Sequence, residues 1–232
     1  MIPQVVDVLE PSEARAARDQ VHALRAAWTR QSLSAEFYTL GVSAYIEAQN
    51  RGSVSYTFAA KRLNPMLHEA FGEVYERVRV ALERFMGEPV SYSPRLALPG
   101  FHIFLADPAF SLPVCMIHLD QPYKNLHWPA YEAVDTRRTL SFTLSLALPK
   151  GGAGLRVWHQ ISPEQAVTGP SLIEQTTGLE PTHHAYAVGR MVIHDGHSIH
   201  QIAPFVGLGD GDERITLQGH AIFGAQGWLA YF

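Results

Sequence analysis

Thr139–Leu148 reads TLSFTLSLAL and alternates Thr or Ser with Leu or Phe from Thr139 to Leu146. A period of two is that of a β-strand with one apolar and one polar face. Working outward, FHIFL (101–105), VCMIHL (114–119), GLRVW (154–158), AYAVGRMVIH (185–194) and RITLQGHAIF (214–223) are further short runs. They are rich in β-branched and aromatic residues and are separated by Pro, Gly and Asp, which read as turns. Several strands with no helical pattern between them predict a sandwich, jelly roll or barrel. The longer breaks, Gln121 to Arg137 and His159 to His183, exceed hairpin loops. Long loops on a β scaffold often carry binding function.

Before residue 91 the texture is helical. Pro11 and Ser12 open a segment in which Ala14, Ala17, Val21, Leu24 and Trp28 fall on one helical stripe. Glu36 to Gln49 is ambiguous, with Gly52 suited to a C-terminal end. In the third segment Asn64 suits an N-cap, Pro65 the first helical position and Gly87 the residue past the end. Leu67, Phe71, Val74, Val78, Leu82 and Phe85 would form its apolar face. The expected class is α+β: a helical bracing region over 1–95 and a β core over 96–232, in one integrated domain.

The chain has 232 residues, 47% apolar and 17% charged, with net charge −4. This is enough to bury a large core without disulfides or a structural metal. No basic run is present, so a nucleic-acid partner is not expected. The single cysteine, Cys115, has no internal disulfide partner; it reads as a buried small hydrophobe and points to a reducing cytoplasm. MIPQVVDVLEPSEA lacks the charge and apolar run of a secretory leader, and no stretch is long and apolar enough to span a membrane. The twelve histidines stand out, because imidazole is a common metal ligand.

In VCMIHLDQPY, His118 and Asp120 are two apart on an expected strand and so point the same way. They offer one imidazole and one carboxylate to a single metal. The segment GRMVIHDGHSIHQIAP supplies three candidates for a third ligand: His194, His197 and His200. Two histidines and one carboxylate on one face of an octahedral metal leave three positions open. Farther on, Arg214 and Thr216 share a face of ERITLQ. A guanidinium there can grip a carboxylate with a hydroxyl in support.

Taken in order, IHLD, RTLSFTLSLAL leading into GGAGLRVW, VGRMVIHDGHSIHQIAP and ERITLQGHAIF resemble the iron(II)- and 2-oxoglutarate-dependent dioxygenases, over roughly residues 100–232. The resemblance implies a double-stranded β-helix (jelly-roll) core braced by the N-terminal helices. It selects His200, followed by Ile202 and Pro204, as the third ligand. It implies Fe(II) on His118, Asp120 and His200, 2-oxoglutarate held by Arg214 and Thr216, and O2. The implied activity is hydroxylation of an unactivated C–H, releasing succinate and CO2. Halogenating relatives carry a small residue at the carboxylate position, so Asp120 favours hydroxylation. His194 and His197 depart from the pattern and leave room for a second metal or another ligand choice.

Candidates for contacting the substrate are Lys124, His127 and Trp128 in the loop after Asp120, Gln218 and His220 on the Arg214 strand, and His102. An amino acid, a peptide side chain or a small natural product would fit. Two other readings use the same residues. A zinc-dependent hydrolase also takes three protein ligands but leaves Arg214 and Thr216 without a role. A cupin-like binding or structural protein with no turnover would tolerate replacement of Asp120 by Ala.

Overall fold

The computed structural model describes residues 2–113, 116–168 and 171–232. In chain order it runs β1 (Gln4–Asp7), α1 (Pro11–Ala23), β2 (Thr29–Arg30), β3 (Phe37–Leu40), α2 (Gln49–Met86), β4 (Val90–Tyr92), β5 (Gly100–Leu105) and β6 (Asp135–Ala147). There follow β7 (Leu155–Val157), α3 (Pro163–Thr168), α4 (Leu172–Thr176), β8 (Thr182–His184), β9 (Arg190–Asp195), β10 (His200–Ile202), β11 (Glu213–Gly224) and β12 (Gly227–Tyr231). The larger sheet has the order β1-β9-β6-β11-β5-β3-β2, with β12 joining β11 to β4. The smaller sheet is β10-β7-β8. Every strand pairing is antiparallel except β12 with β4. The chain is therefore a mixed helix and antiparallel-sheet protein. No helix among the described residues is long and apolar enough to cross a membrane.

The long strands sort their side chains as the alternation requires. Leu140, Phe142, Leu144 and Leu146 of β6 join Ile103 of β5, Ile193 of β9 and Leu217 of β11 in one apolar core. Ala14, Ala17 and Val21 of α1 and Leu67, Phe71 and Val78 of α2 close that core from the helical side. Each fully buried Leu or Phe there stabilises the fold by roughly 1.5–3 kcal/mol. The opposite face of the same strands is also buried, but it is polar: Ser141 and Ser145, His102, His194, Arg214, Thr216 and His220. A buried polar face is costly unless its groups find partners, and His194 on it lies 3.8 Å from Asp120.

Several sequence expectations change. The helix ends at Ala23, short of Trp28. The Val21 carbonyl, which a longer helix would give to Arg25, accepts instead from the Leu24 amide at 3.2 Å and the Trp28 indole at 3.0 Å. Residues 36–49 contain β3, whose aromatic and β-branched FYTL run pairs with β5, then one wide helical turn over Ala44–Ala48. Gly52 (φ 86°, ψ 161°) is a break inside α2, not the end of an earlier helix. Asn64 does not cap: its amide donates to the Leu96 carbonyl at 2.8 Å and its oxygen accepts from the Leu98 amide at 3.0 Å. Those bonds pin mid-helix α2 to the approach to β5, and Pro65 lies inside the helix. Gly87 closes α2 as expected, left-handed at φ 69°. The N-terminal third also contributes β1 to β4, so it is not helical alone. Of AYAVGRMVIH only the second half is strand, and the break after His159 holds α3 and α4.

Candidate metal centre

His118 and His200 are joined through their backbones before their side chains meet. Each donates its amide to the other's carbonyl at 3.0 Å, forming a single antiparallel bridge. His200 is held from its other side by β7, opposite Val157. The strand expected around His118 is reduced to that bridge among the described residues. Val114 and Cys115, with the burial expected for Cys115, lie outside them. Asp120 nevertheless returns to the same side two residues later. His118 Nε2 lies 3.5 Å from Asp120 Oδ1, and His200 Nε2 lies 3.4 Å from Oδ2. One ligand atom from each of the three residues lies within 4.8 Å of the other two.

The turn from β9 to β10 sets His200 in place. Asp195 Oδ1 accepts from the His197 amide and the Ser198 hydroxyl, both at 3.0 Å, an Asx-type turn. Gly196 has no sequence signal of its own, yet a Cβ there would lie 2.6 Å from the Asp120 carbonyl oxygen and 2.8 Å from Thr139 Oγ1. The turn that presents His200 therefore packs directly on the backbone of Asp120.

Both rings are oriented in the same way. His118 Nδ1 donates to the Met116 carbonyl at 2.8 Å, and His200 Nδ1 to the Ser198 carbonyl at 2.9 Å. A carbonyl has no proton to give, so in each neutral ring Nδ1 carries the hydrogen and Nε2 presents a lone pair. Two lone pairs facing a carboxylate repel unless a proton or a metal ion lies between them. Neighbouring ligands about 2.1 Å from a metal sit about 3 Å apart, close to the spacing seen. Asp120 Oδ2 is buried without a hydrogen-bond partner among the described residues, as a ligand oxygen would be. The donor set thus fits a divalent metal of intermediate hardness.

Protonation follows from burial and from Asp120. Burial pushes His200 down to about 3, against the pull of Asp120. At His118 burial also lowers the pKa, but the hydrogen bond and charge of Asp120 outweigh it and hold the ring above its ordinary value. Burial would raise Asp120; the imidazoles of His200 and His118 hold it well below the usual carboxylate range.

The two remaining candidates separate. His194 is buried on β9, with Nε2 3.8 Å from Asp120 Oδ2 and Nδ1 on the Asp195 carbonyl at 2.8 Å. It flanks the trio without joining its mutually close set. His197 turns toward Thr139 Oγ1 at 3.4 Å.

Arg214 and Thr216 lie on the same buried polar face, each 1% exposed. The guanidinium carbon of Arg214 sits 4.1 Å from the centre of the Phe104 ring. In the next layer Thr216 is paired across the sheet with His102 on β5 and Ser145 on β6. Thr216 Oγ1, Ser145 Oγ and His102 Nδ1 are buried with no hydrogen-bond partner among the described residues. They form a cradle of unused donors and acceptors beside Arg214. The other nitrogen of His102 is bonded to the Tyr45 hydroxyl at 2.6 Å, and burial pushes this ring down to about 3, aided by the charge of Arg214.

A cavity of about 560 Å3 opens on the trio and is lined by His118 and Asp120. Of the expected substrate residues, His102 and Gln218 line it. The other four do not. Lys124 bonds Gln121 at the surface, exposed His127 donates its amide to Ser53, the Trp128 indole donates to the Tyr123 carbonyl, and His220 is bonded to Ser141. Tyr45, Phe37 and Phe110, which do line it, were not singled out from sequence. Their only signal is aromatic character, which core residues share.

No protein-family model matches the sequence, and no curated protein does. Solved structures do match the fold. An N-substituted L-amino acid dioxygenase from Burkholderia ambifaria AMMD, in complex with alpha-ketoglutarate, superposes with TM-score 0.54 at 14% identity, over 99% of this chain and 86% of that one. HygX from Streptomyces hygroscopicus, with nickel and 2-oxoglutarate bound, gives 0.53 at 12%, over 94% and 82%. The alpha-ketoglutarate-dependent carbocyclase SnoK from nogalamycin biosynthesis gives 0.53 at 12%, over 97% and 82%. At these identities the likeness establishes a shared fold.

Proposed function

We propose that the chain is an Fe(II)- and 2-oxoglutarate-dependent oxygenase that hydroxylates a small molecule in the cytoplasm. Its core, 96–232, would be a double-stranded β-helix braced by 1–95. The observation that carries this reading is the convergence of two oriented Nε2 lone pairs and one carboxylate beside a cavity. Supporting it, fold neighbours have alpha-ketoglutarate, or nickel with 2-oxoglutarate, bound.

On this reading His118, Asp120 and His200 hold the iron, and the carbonyls of Met116 and Ser198 fix the two rings. When bound, the iron would activate O2, which is the oxidant: two of its four oxidising equivalents would convert 2-oxoglutarate to succinate and CO2, and two would go to the substrate. Asp120 supplies one negative charge and keeps the site from being purely imidazole. Arg214 and Thr216 would hold the far carboxylate of the co-substrate, with Ser145 and His102 completing the cradle. Phe104 and the strands around Arg214 exclude water there, so that ion pair is strengthened. Arg214 and Thr216 are not among the cavity's lining residues, so the co-substrate must reach them past His102 and Gln218. Because the fold neighbours include a carbocyclase, product mass distinguishes hydroxylation from ring closure.

Calorimetric titration of 2-oxoglutarate into anaerobic, Fe(II)-loaded protein tests the reading. One site per chain is expected, weakened about tenfold or more in Arg214→Ala, as loss of a charge-assisted hydrogen bond implies. No binding to iron-loaded protein would refute it.

A further inference from the structure

We infer that the substrate is a neutral, ring-bearing small molecule, not an amino acid or a peptide end; this rests on placing the reaction at His118, Asp120 and His200. The cavity over the trio holds about 560 Å3, within the usual range of about 300–1,000 Å3 for small-molecule sites. One wall is aromatic. Phe37 stacks on Phe104 with centroids 4.4 Å apart and planes 15° from parallel, and Phe110 meets Phe104 edge-on at 5.0 Å. All three line the cavity, and Ala35, Ala109 and Ile202 extend the apolar surface. Flat or alicyclic rings pack against such a wall without any charged partner.

Away from the metal trio, the polar part of the lining is uncharged. Tyr45, Gln49, Gln121 and Asn125 contribute a hydroxyl and amides, and Ser32 and Ser34 lie at the edge. These groups suit substrate hydroxyls and carbonyls. Among the described residues, no Lys, Arg or Glu lines the cavity, and its one carboxylate is Asp120. The lysine in the loop above it, Lys124, is tied to Gln121 and stays outside the lining. With His118 committed to the metal and Arg214 to the co-substrate, the carboxylate of an amino acid would find no further side-chain cation in this lining, and its ammonium would compete with the metal for Asp120. Both are costly. A neutral substrate avoids both.

Two dyes that share one ring system test this on metal-free protein. N-phenyl-1-naphthylamine is neutral, and 8-anilino-1-naphthalenesulfonate is its sulfonated analogue. Fluorescence titration is expected to show one site per chain, with the neutral dye bound about tenfold tighter or more. Ser34→Lys adds a cation at an exposed edge position and should reduce that preference to about threefold or less. Ala109→Trp should fill the wall and weaken the neutral dye by about tenfold; if it fails to fold, the Ser34 variant alone decides. Equal or tighter binding of the sulfonate by wild-type protein would overturn the inference. So would a preference unchanged in both folded variants, because the dye would then sit elsewhere. Neither titration uses iron, so failure here leaves the metal and co-substrate reading intact. Failure of 2-oxoglutarate to bind the iron-loaded protein would instead remove the reaction while leaving the dye result standing.

Discussion

Two groups of histidines face one another in this molecule, and they differ in kind. His118 and His200 have ring centroids 4.3 Å apart, and Asp120 lies against both Nε2 atoms. His159 and His184 also meet, Nε2 to Nε2 at 3.3 Å with ring centroids 5.6 Å apart, but near the surface beside the smaller sheet. No carboxylate forms an ion pair with either of them among the described residues. Among the described residues neither ring of that pair is tied to a carbonyl through Nδ1, whereas both rings of the buried pair are. Proximity of imidazoles is common to both groups. A central charge and backbone-fixed rings belong only to the buried one, and these are what a metal ligand set requires.

The comparison breaks most easily at Asp120. Asp120→Ala should weaken Fe(II) binding by more than about a hundredfold, beyond the roughly 10–100-fold expected for an outer-sphere change. Equilibrium dialysis against Fe(II) under anaerobic conditions measures it; a near-normal affinity would make the buried group no different from the exposed pair. Gly196→Ala comes next. Its Cβ would press on the Asp120 carbonyl oxygen at 2.6 Å, and a displaced ligand should cost about tenfold in the same assay. Unchanged affinity would show that the turn and the ligand segment move apart freely.

Acidity sharpens the contrast further. A proton competes with the metal for Nε2, so affinity is lost as pH falls through a ligand's pKa. His118 is held above 6.5 and His200 is pushed down to about 3. Fe(II) affinity should therefore fall about tenfold per pH unit below the raised pKa of His118, the slope of one displaced proton. A slope of two protons near neutrality would mean that His200 is not held neutral by burial. The smallest effect is expected at the surface: His184→Ala should leave Fe(II) stoichiometry at one per chain and its affinity unchanged. Loss of a second equivalent of metal would show that the exposed pair is also a site.

The β core was legible because β6 keeps a period of two and β5 and β11 largely follow it, each giving one face to a single apolar core. That His118 and Asp120 face one another was also legible, since they lie two apart. Among His194, His197 and His200, the resemblance favours His200 through the Ile202 and Pro204 that follow it, whereas strand periodicity does not separate the three. The bridge to His118 brings His200 beside it and Asp120, while the pairing of β9 with β6 places His194 opposite Ser141 and just outside the trio. Local preference leaves residues 36–49 ambiguous and points Asn64 to a cap, but tertiary partners decide both: β3 is strand because β5 pairs with it, and the side-chain amide of Asn64 goes to Leu96 and Leu98. The aromatic cavity wall was invisible for a similar reason. Phe37, Phe104 and Phe110 come from three separate segments, and nothing in their spacing tells a wall from a core.

Anaerobic addition of 2-oxoglutarate to Fe(II)-loaded protein, followed by visible absorption, tests most directly whether His118, Asp120 and His200 hold iron with sites left for a chelating oxo-acid. A metal-to-ligand charge-transfer band is expected in the wild type, absent in His200→Ala and weaker in Arg214→Ala. Wild-type protein with iron demonstrably bound and no such band would contradict the assignment.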